Sequence, residues 1–399
     1  MRRRLAFVAQ VIAAWGACAA AAACGGVAPA PIHMHERLEV GGLPPVDVHV
    51  SIQPEHQRDA DRYLRAAVAA LRACEEWLGP FPRAALTIAD PAWHSTPDST
   101  ADTIVVQRTP WWTARAAMAP EIVTARAVSR RCWGEPLAGD RLPASFVEGL
   151  AEYTARRVVA ALFARENNPP GYRFVEERYF GRFVPRFVRV RRIAETDDAT
   201  NALLTLGTLE GWLGQPVFDQ VVAEFLGAYR GRSPAMADFE RMASEVSGQN
   251  LAWFFDQVRS GSPLDYGVER LSSERQANGS YLTTVVARRY GDGRFTGTST
   301  PRVGPFESGR GITLRVTFSD AARTTDHWDG RDREKTFSYR SPAAAVSAEI
   351  DPERRLLLDV KRTNNSRTLA PNAADDATRW AGRWLIWMQD LVLTYASLV

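Results

Sequence analysis

"ARAVSRRCWGEPLAGDRLPASFVEGLAEYTARRVV", from Ala125 to Val159, is the stretch on which the fold turns. It lies in a mainly helical region from Pro120 to Val258. The later segments of that region, "NALLTLGTLEGWLG", "VFDQVVAEFLGAYR", "MADFERMASEV" and "NLAWFFDQV", are separated by short Gly, Ser or Pro breaks. Arg126 and Arg130 are four residues apart and share one helix face. No histidine occurs between His94 and His327.

Ahead of this helical half, "VDVHVSI" alternates like a strand, and "RDADRYLRAAVAALRACEEWLG" sets Leu64, Val68, Leu71 and Trp77 on one helical face. "AALTIAD" reads as a second strand. Beyond Pro263 the period changes to two. In "GITLRVTFSD", Ile312, Leu314, Val316 and Phe318 alternate with Thr313, Arg315 and Thr317, and "SYLTTVVARR", "KTFSYR", "VSAEID" and "RLLLDV" are further strands. Short strands joined by turns predict a β-sandwich over residues 266–370.

With 399 residues, 45% hydrophobic and 24% charged, the chain is long enough for two domains. Its 49 basic and 46 acidic residues give a net charge of +3 and are interspersed, so there is no electrostatic footprint for nucleic acid. The start, "MRRRLAFVAQVIAAWGACAAAAACGG", has three arginines, an apolar run and small residues, the pattern of an export signal over residues 1–24. Its Ala-Ala-Ala-Cys ending resembles a bacterial lipoprotein signal with Cys24 as the acylated residue, although the usual leucine is missing. Cleavage near Ala30 without lipidation and an uncleaved membrane anchor are the alternatives. Cys74 and Cys132 remain for the folded part, as a disulfide that export permits or as two buried thiols. Residues 25–45, rich in Pro and Gly, read as a tether. "HMHE", from His33 to Glu36, looks like a metal cluster but alternates without a third ligand.

"SFVEGLAEY" resembles the "L-N-E-G-F-A-E-Y" signature of the membrane alanine aminopeptidase family of zinc peptidases. "APEIVTARAVSRRCWG" resembles the family's helix through H-E-x-x-H, and "EVSGQNLAWFFDQ" resembles its "S-G-x-D-L-x-W-F-F-x-Q" helix. The resemblance covers roughly Val46 to Leu271 and implies an α+β chain. Its parts would be a mostly helical thermolysin-like (gluzincin) domain over residues 46–265, a small β-sandwich, and a C-terminal segment over 371–399.

The family binds zinc through two histidines at i and i+4 with a glutamate general base between them, and a further glutamate as third ligand. Here the matching positions are Arg126, Ala127 and Arg130, with Glu148 at the third-ligand position. The spacing from Arg130 to Glu148 is one residue shorter than the family's, which implies a deletion near Cys132. Ala101 falls where the family's amine-gripping glutamate belongs, and Ala199 where its oxyanion tyrosine belongs; Tyr179 and Tyr229 are the distant tyrosines on either side. The resemblance therefore implies a degenerate member without catalytic residues, metal or cofactor. Family geometry points Arg126 and Arg130 at Glu148 and Glu152, either as buried ion pairs filling the old metal site or as a groove for a peptide or an anionic ligand. A binding or scaffolding role follows. An active peptidase with a non-standard metal site, and a structural subunit of a membrane-associated export or transport complex, are the competing readings.

The C-terminal "RWAGRWLIWMQDLVLTYASLV" aligns Trp380, Trp384, Trp387, Leu391 and Tyr395 on one face, with Arg379, Arg383, Asp390, Thr394 and Ser397 as a polar stripe. A helix of this size is about 30 Å long, but Asp390 near its middle makes spanning costly. Such an aromatic face suits a membrane interface or the protein's own groove. A single acyl chain holds a membrane only marginally. Cys24→Ser alone is therefore expected to leave a substantial membrane-bound fraction, and Cys24→Ser with residues 380–399 deleted to give soluble protein. Fractionation after confirmed export checks this, and a fully soluble Cys24→Ser protein would dismiss the helix as an anchor.

Overall fold

Strands β1 (Ile32–Leu38) and β2 (Val46–Ile52) pair antiparallel, β2 pairs β3 (Ala85–Ala89) in parallel, and β3 pairs β4 (Thr103–Val105) in parallel. The computed structural model describes residues 30–89, 103–105, 119–134, 137, 141–164, 199–295, 311–370, 384 and 388. In sheet order β1-β2-β3-β4, the strand β1 is an edge. This corrects the tether over part of residues 25–45. An edge strand needs backbone pairing on one side and few apolar residues, and "IHMHERL" meets that need with Leu38 buried and Met34 packed against the core.

Helix α1 (Ala60–Leu78) follows β2 and buries Leu64, Val68, Leu71, Cys74 and Leu78, while Trp77 is only partly buried. The helical half continues as α2 (Ala119–Gly134), α3 (Ala144–Ala164), α4 (Ala199–Leu213), α5 (Gln215–Tyr229), α6 (Met236–Ser247) and α7 (Ala252–Ser260). "SGQNLAWFF" joins α6 to α7. Its Phe254 and Phe255 are buried, the Trp253 ring stands edge-on to Trp212 at 5.0 Å, and Trp212 Nε1 donates to Gln249 Oε1 at 2.9 Å.

Three links hold α2 in place. Cys74 and Cys132 form a disulfide with Cα atoms 6.3 Å apart, which settles the choice between bridge and thiols. The bridged residues are 58 apart, so chain-entropy loss in the unfolded state makes the bridge worth about 4 kcal/mol. Arg62 on α1 grips Glu121 with two hydrogen bonds of 2.8 and 2.7 Å. Trp133 Nε1 donates to Thr154 Oγ1 on α3 at 2.9 Å, in a buried contact.

The remaining strands form two antiparallel sheets. One holds β5 (Tyr266–Arg275), β6 (Tyr281–Arg289) and β9 (Glu334–Ser341) in that order. The other runs β11 (Ser366–Thr368), β10 (Ala345–Ile350), β7 (Ile312–Phe318) and β8 (Arg323–Trp328). Ile312, Leu314, Val316 and Phe318 are buried as their alternation requires, in one core with Val285 and Phe337 of the other sheet. "RLLLDV" departs from expectation. Leu356, Leu357 and Leu358 are buried in a turn segment, not a strand, because they dock against α4. The chain is thus a mixed helix and sheet protein. Residues 1–29, with Cys24, lie outside the described residues, as does residues 371–399 apart from Trp384 and Met388, both helical and exposed.

A Cβ added at Gly149 would stand 2.4 Å from Ala202 Cβ and 3.1 Å from α4 backbone. Only glycine lets α3 and α4 approach this closely. Gly149→Ala is expected to cost about 1–3 kcal/mol through forced separation of the helices. Urea unfolding checks it, and an unchanged midpoint would mean that the two helices yield without strain.

Candidate functional site

Helices α2 and α3 run against each other so that Arg126 meets Glu152 and Arg130 meets Glu148. The i and i+4 spacing on each helix turns both arginines and both carboxylates toward the shared groove. Arg130 Nε donates to Glu148 Oε2 at 2.6 Å. Arg126 Nε and Glu152 Oε1 form an ion pair without an aligned hydrogen bond, although both atoms are shielded from water. Ala127, between the arginines, is partly buried against the core.

The two pairs are unequal. The Arg130 and Glu148 side chains are 46% and 36% exposed. Hydration therefore screens their attraction, and breaking the pair costs about 0–1 kcal/mol. The expected buried pair at Glu148 is corrected accordingly: the buried carboxylate is Glu152, whose side chain is 10% exposed. Burial pushes the Glu152 carboxyl above the ordinary glutamate value. Arg126 and Arg130 pull it back only in part, and the charge of Glu148 adds to the rise.

Of the other expected positions, Ala199 is the first residue of α4, and its side chain lies outside the described residues, as do Ala101 and Tyr179. Tyr229 ends α5 and is committed elsewhere: its hydroxyl donates to Asp238 Oδ1 at 2.9 Å and accepts from Arg241 at 2.6 Å. The sequence reading missed the burial of Glu152. Its only local signal is the apolar neighbourhood of Ala151 and Tyr153, both of which are buried.

Zinc does not fit these residues. It takes nitrogen and thiolate ligands with carboxylates in support, whereas this groove offers two carboxylates that each face a guanidinium. Among the described residues, no group of three or more His, Cys, Asp or Glu is placed to hold a metal ion.

No protein-family model and no curated protein matches the sequence. Among solved structures, aminopeptidase A of Legionella pneumophila, in complex with aspartic acid, overlaps 82% of this chain with a TM-score of 0.52 and 12% identity. The fold is aminopeptidase-like. This chain spans 38% of that structure's length. An M1 zinc metallopeptidase of Deinococcus radiodurans overlaps 58% of this chain and 51% of its own, at 15% identity and a TM-score of 0.40. At 12% identity the first likeness concerns the aminopeptidase-like fold alone, and residue roles rest on the groove itself.

The raised value of Glu152 has a consequence for stability. The folded chain holds this proton more tightly than the unfolded chain does. The contribution of Glu152 is therefore present in full below its unfolded value and lost as pH rises through the raised folded value. The stability of wild type relative to Glu152→Gln is expected to fall as pH rises above the ordinary glutamate range. Above that range the variant should lie within about 1 kcal/mol of wild type or above it, because the Arg126 side chain is 42% exposed and stays hydrated once the carboxylate is gone. Urea unfolding across that range checks this. A wild-type advantage growing with pH would show that attraction by the arginines outweighs burial.

Proposed function

We propose that this chain is a catalytically inactive, aminopeptidase-like protein of the membrane alanine aminopeptidase family, exported and held at the cell envelope, that binds or scaffolds and does not hydrolyse. One observation carries the reading. The helix face that would present two imidazoles and a base presents Arg126, Ala127 and Arg130, and both arginines are engaged by Glu152 and Glu148. A guanidinium stays protonated, so it neither ligates a metal nor accepts a proton. Likeness to the fold of an aminopeptidase at a TM-score of 0.52 supports the framework of the proposal.

The ligand we propose for the α2–α3 groove is a peptide. An anionic ligand would have to displace a carboxylate from each arginine, whereas a peptide can use the groove with the ion pairs in place. A membrane-associated role has its own support: Trp384 and Met388, four residues apart in sequence and each helical, are 58% and 49% exposed. Large apolar side chains in that position suit a lipid surface or a partner.

Purified protein is expected to hold no stoichiometric zinc and to cleave no aminoacyl reporter, with or without added zinc. Metal analysis with a reporter assay tests both. About one zinc per chain together with chelator-sensitive hydrolysis would establish instead an active peptidase with a non-standard metal site.

A further inference from the structure

The histidines of "HMHE" gain partners once β1 pairs with β2. His33, His35 and Arg37 alternate along the outer face of β1, and the register sets them opposite Ser51, His49 and Asp47. The inward residues Val48, Val50 and Ile52 are buried, so this ladder faces water. The rings of His35 and His49 stack with centroids 4.7 Å apart and planes at 27°. His35 Nε2 lies 3.2 Å from Asp47 Oδ1, and Arg37 Nη1 lies 3.6 Å from the other carboxylate oxygen.

We propose that His35 and His49 form a two-imidazole site for a late first-row divalent transition metal ion, preferentially Cu2+, with Asp47 as its positioning residue. Directly opposed residues on paired strands have Cβ atoms about 5 Å apart, which lets both imidazoles reach one ion at about 2 Å. Asp47 accepts the Nε2 proton of His35 and so leaves Nδ1 as the free lone pair, the arrangement by which an outer carboxylate orients a ligating histidine. His49 has no hydrogen-bonding partner among the described residues, so its nitrogens are available. The His35 side chain is 52% exposed, so an ion can reach its ring from solvent.

The choice of ion follows from the donors. Among the described residues no group of three or more His, Cys, Asp or Glu is placed to hold an ion, which disfavours the closed four-ligand shell of structural zinc. Two imidazoles completed by water suit the tetragonal preference of Cu2+, which also heads the divalent affinity order. The site is separate from the α2–α3 groove and does not depend on the function proposed there. An ion bridging His35 and His49 would clasp the edge strand β1 to the sheet.

The test is a Cu2+ titration of the purified full chain, read by imidazole proton resonances. With six histidines in the chain, assignment by substitution is practical. Sub-stoichiometric Cu2+ is expected to broaden the resonances of His35 and His49 before the others. His49→Ala should weaken binding at least tenfold, and Asp47→Asn about tenfold, the effect of losing an orienting carboxylate. Both positions are at the surface, and unchanged circular dichroism shows that the variants fold. Equal broadening of all histidines, or unchanged affinity in His49→Ala, would overturn the site. Unchanged affinity in Asp47→Asn would overturn the role given to Asp47.

Discussion

Helix α2 carries the two arginines of the groove, and its position depends on being fixed from both sides. The Cys74–Cys132 bridge and the Arg62–Glu121 fork bind it to α1, and the buried bond from Trp133 to Thr154 binds it to α3. These links lie on different faces, so α2 can neither roll nor slide without breaking one of them. That restraint sets Arg126 and Arg130 opposite Glu152 and Glu148. Close contact of Gly149 with Ala202 then seats α3 against α4, so the carboxylates sit on a helix that is itself held.

Within this frame the groove is electrostatically self-contained. Each cation has a carboxylate, and each carboxylate a cation, but the pairs differ in their solvent. Water screens Arg130 and Glu148, whereas Glu152 has lost most of its hydration and is only partly repaid by Arg126. The arrangement commits each of these four charged side chains to a partner on the facing helix.

Much of the framework was legible in the sequence. The stretch resembling the family's metal-binding helix, Ala119 to Gly134, is one helix in the structure, and in α1 the buried set Leu64, Val68 and Leu71 follows from the period of that helix. Other features depend on facts that local patterns do not contain. Edge strand β1 escaped because its apolar residues are few and its stability comes from pairing with β2, a nonlocal contact. The disulfide required a distance between two helices. Whether Glu148 or Glu152 is the buried carboxylate required the rotation of α3, which the i and i+4 step leaves open because it puts both on one face.

The junction between helices and sheets shows a similar dependence. A boundary near residue 265 suits the change of period, yet the chain returns across it. Leu264 bridges to Asp359, and Val360 N donates to Leu264 O at 2.9 Å. Leu357 Cδ1 lies where a Cβ on Gly207 of α4 would be, 2.4 Å from it, and Leu358 N donates to Thr208 Oγ1 at 3.1 Å. Burial raises two carboxyls beside this contact, Asp351 to about 6 and Asp359 to about 7, although backbone amides donate to each. Ionising them is therefore disfavoured in the folded chain, and the stability they contribute is lost as pH rises through those values. Because α4 packs on α3 at one face and receives the Leu356–Leu358 segment at another, loosening the joint would reach the helix that presents Glu148 and Glu152. The sheets thus support the groove through α4, even though they contribute no residue to it.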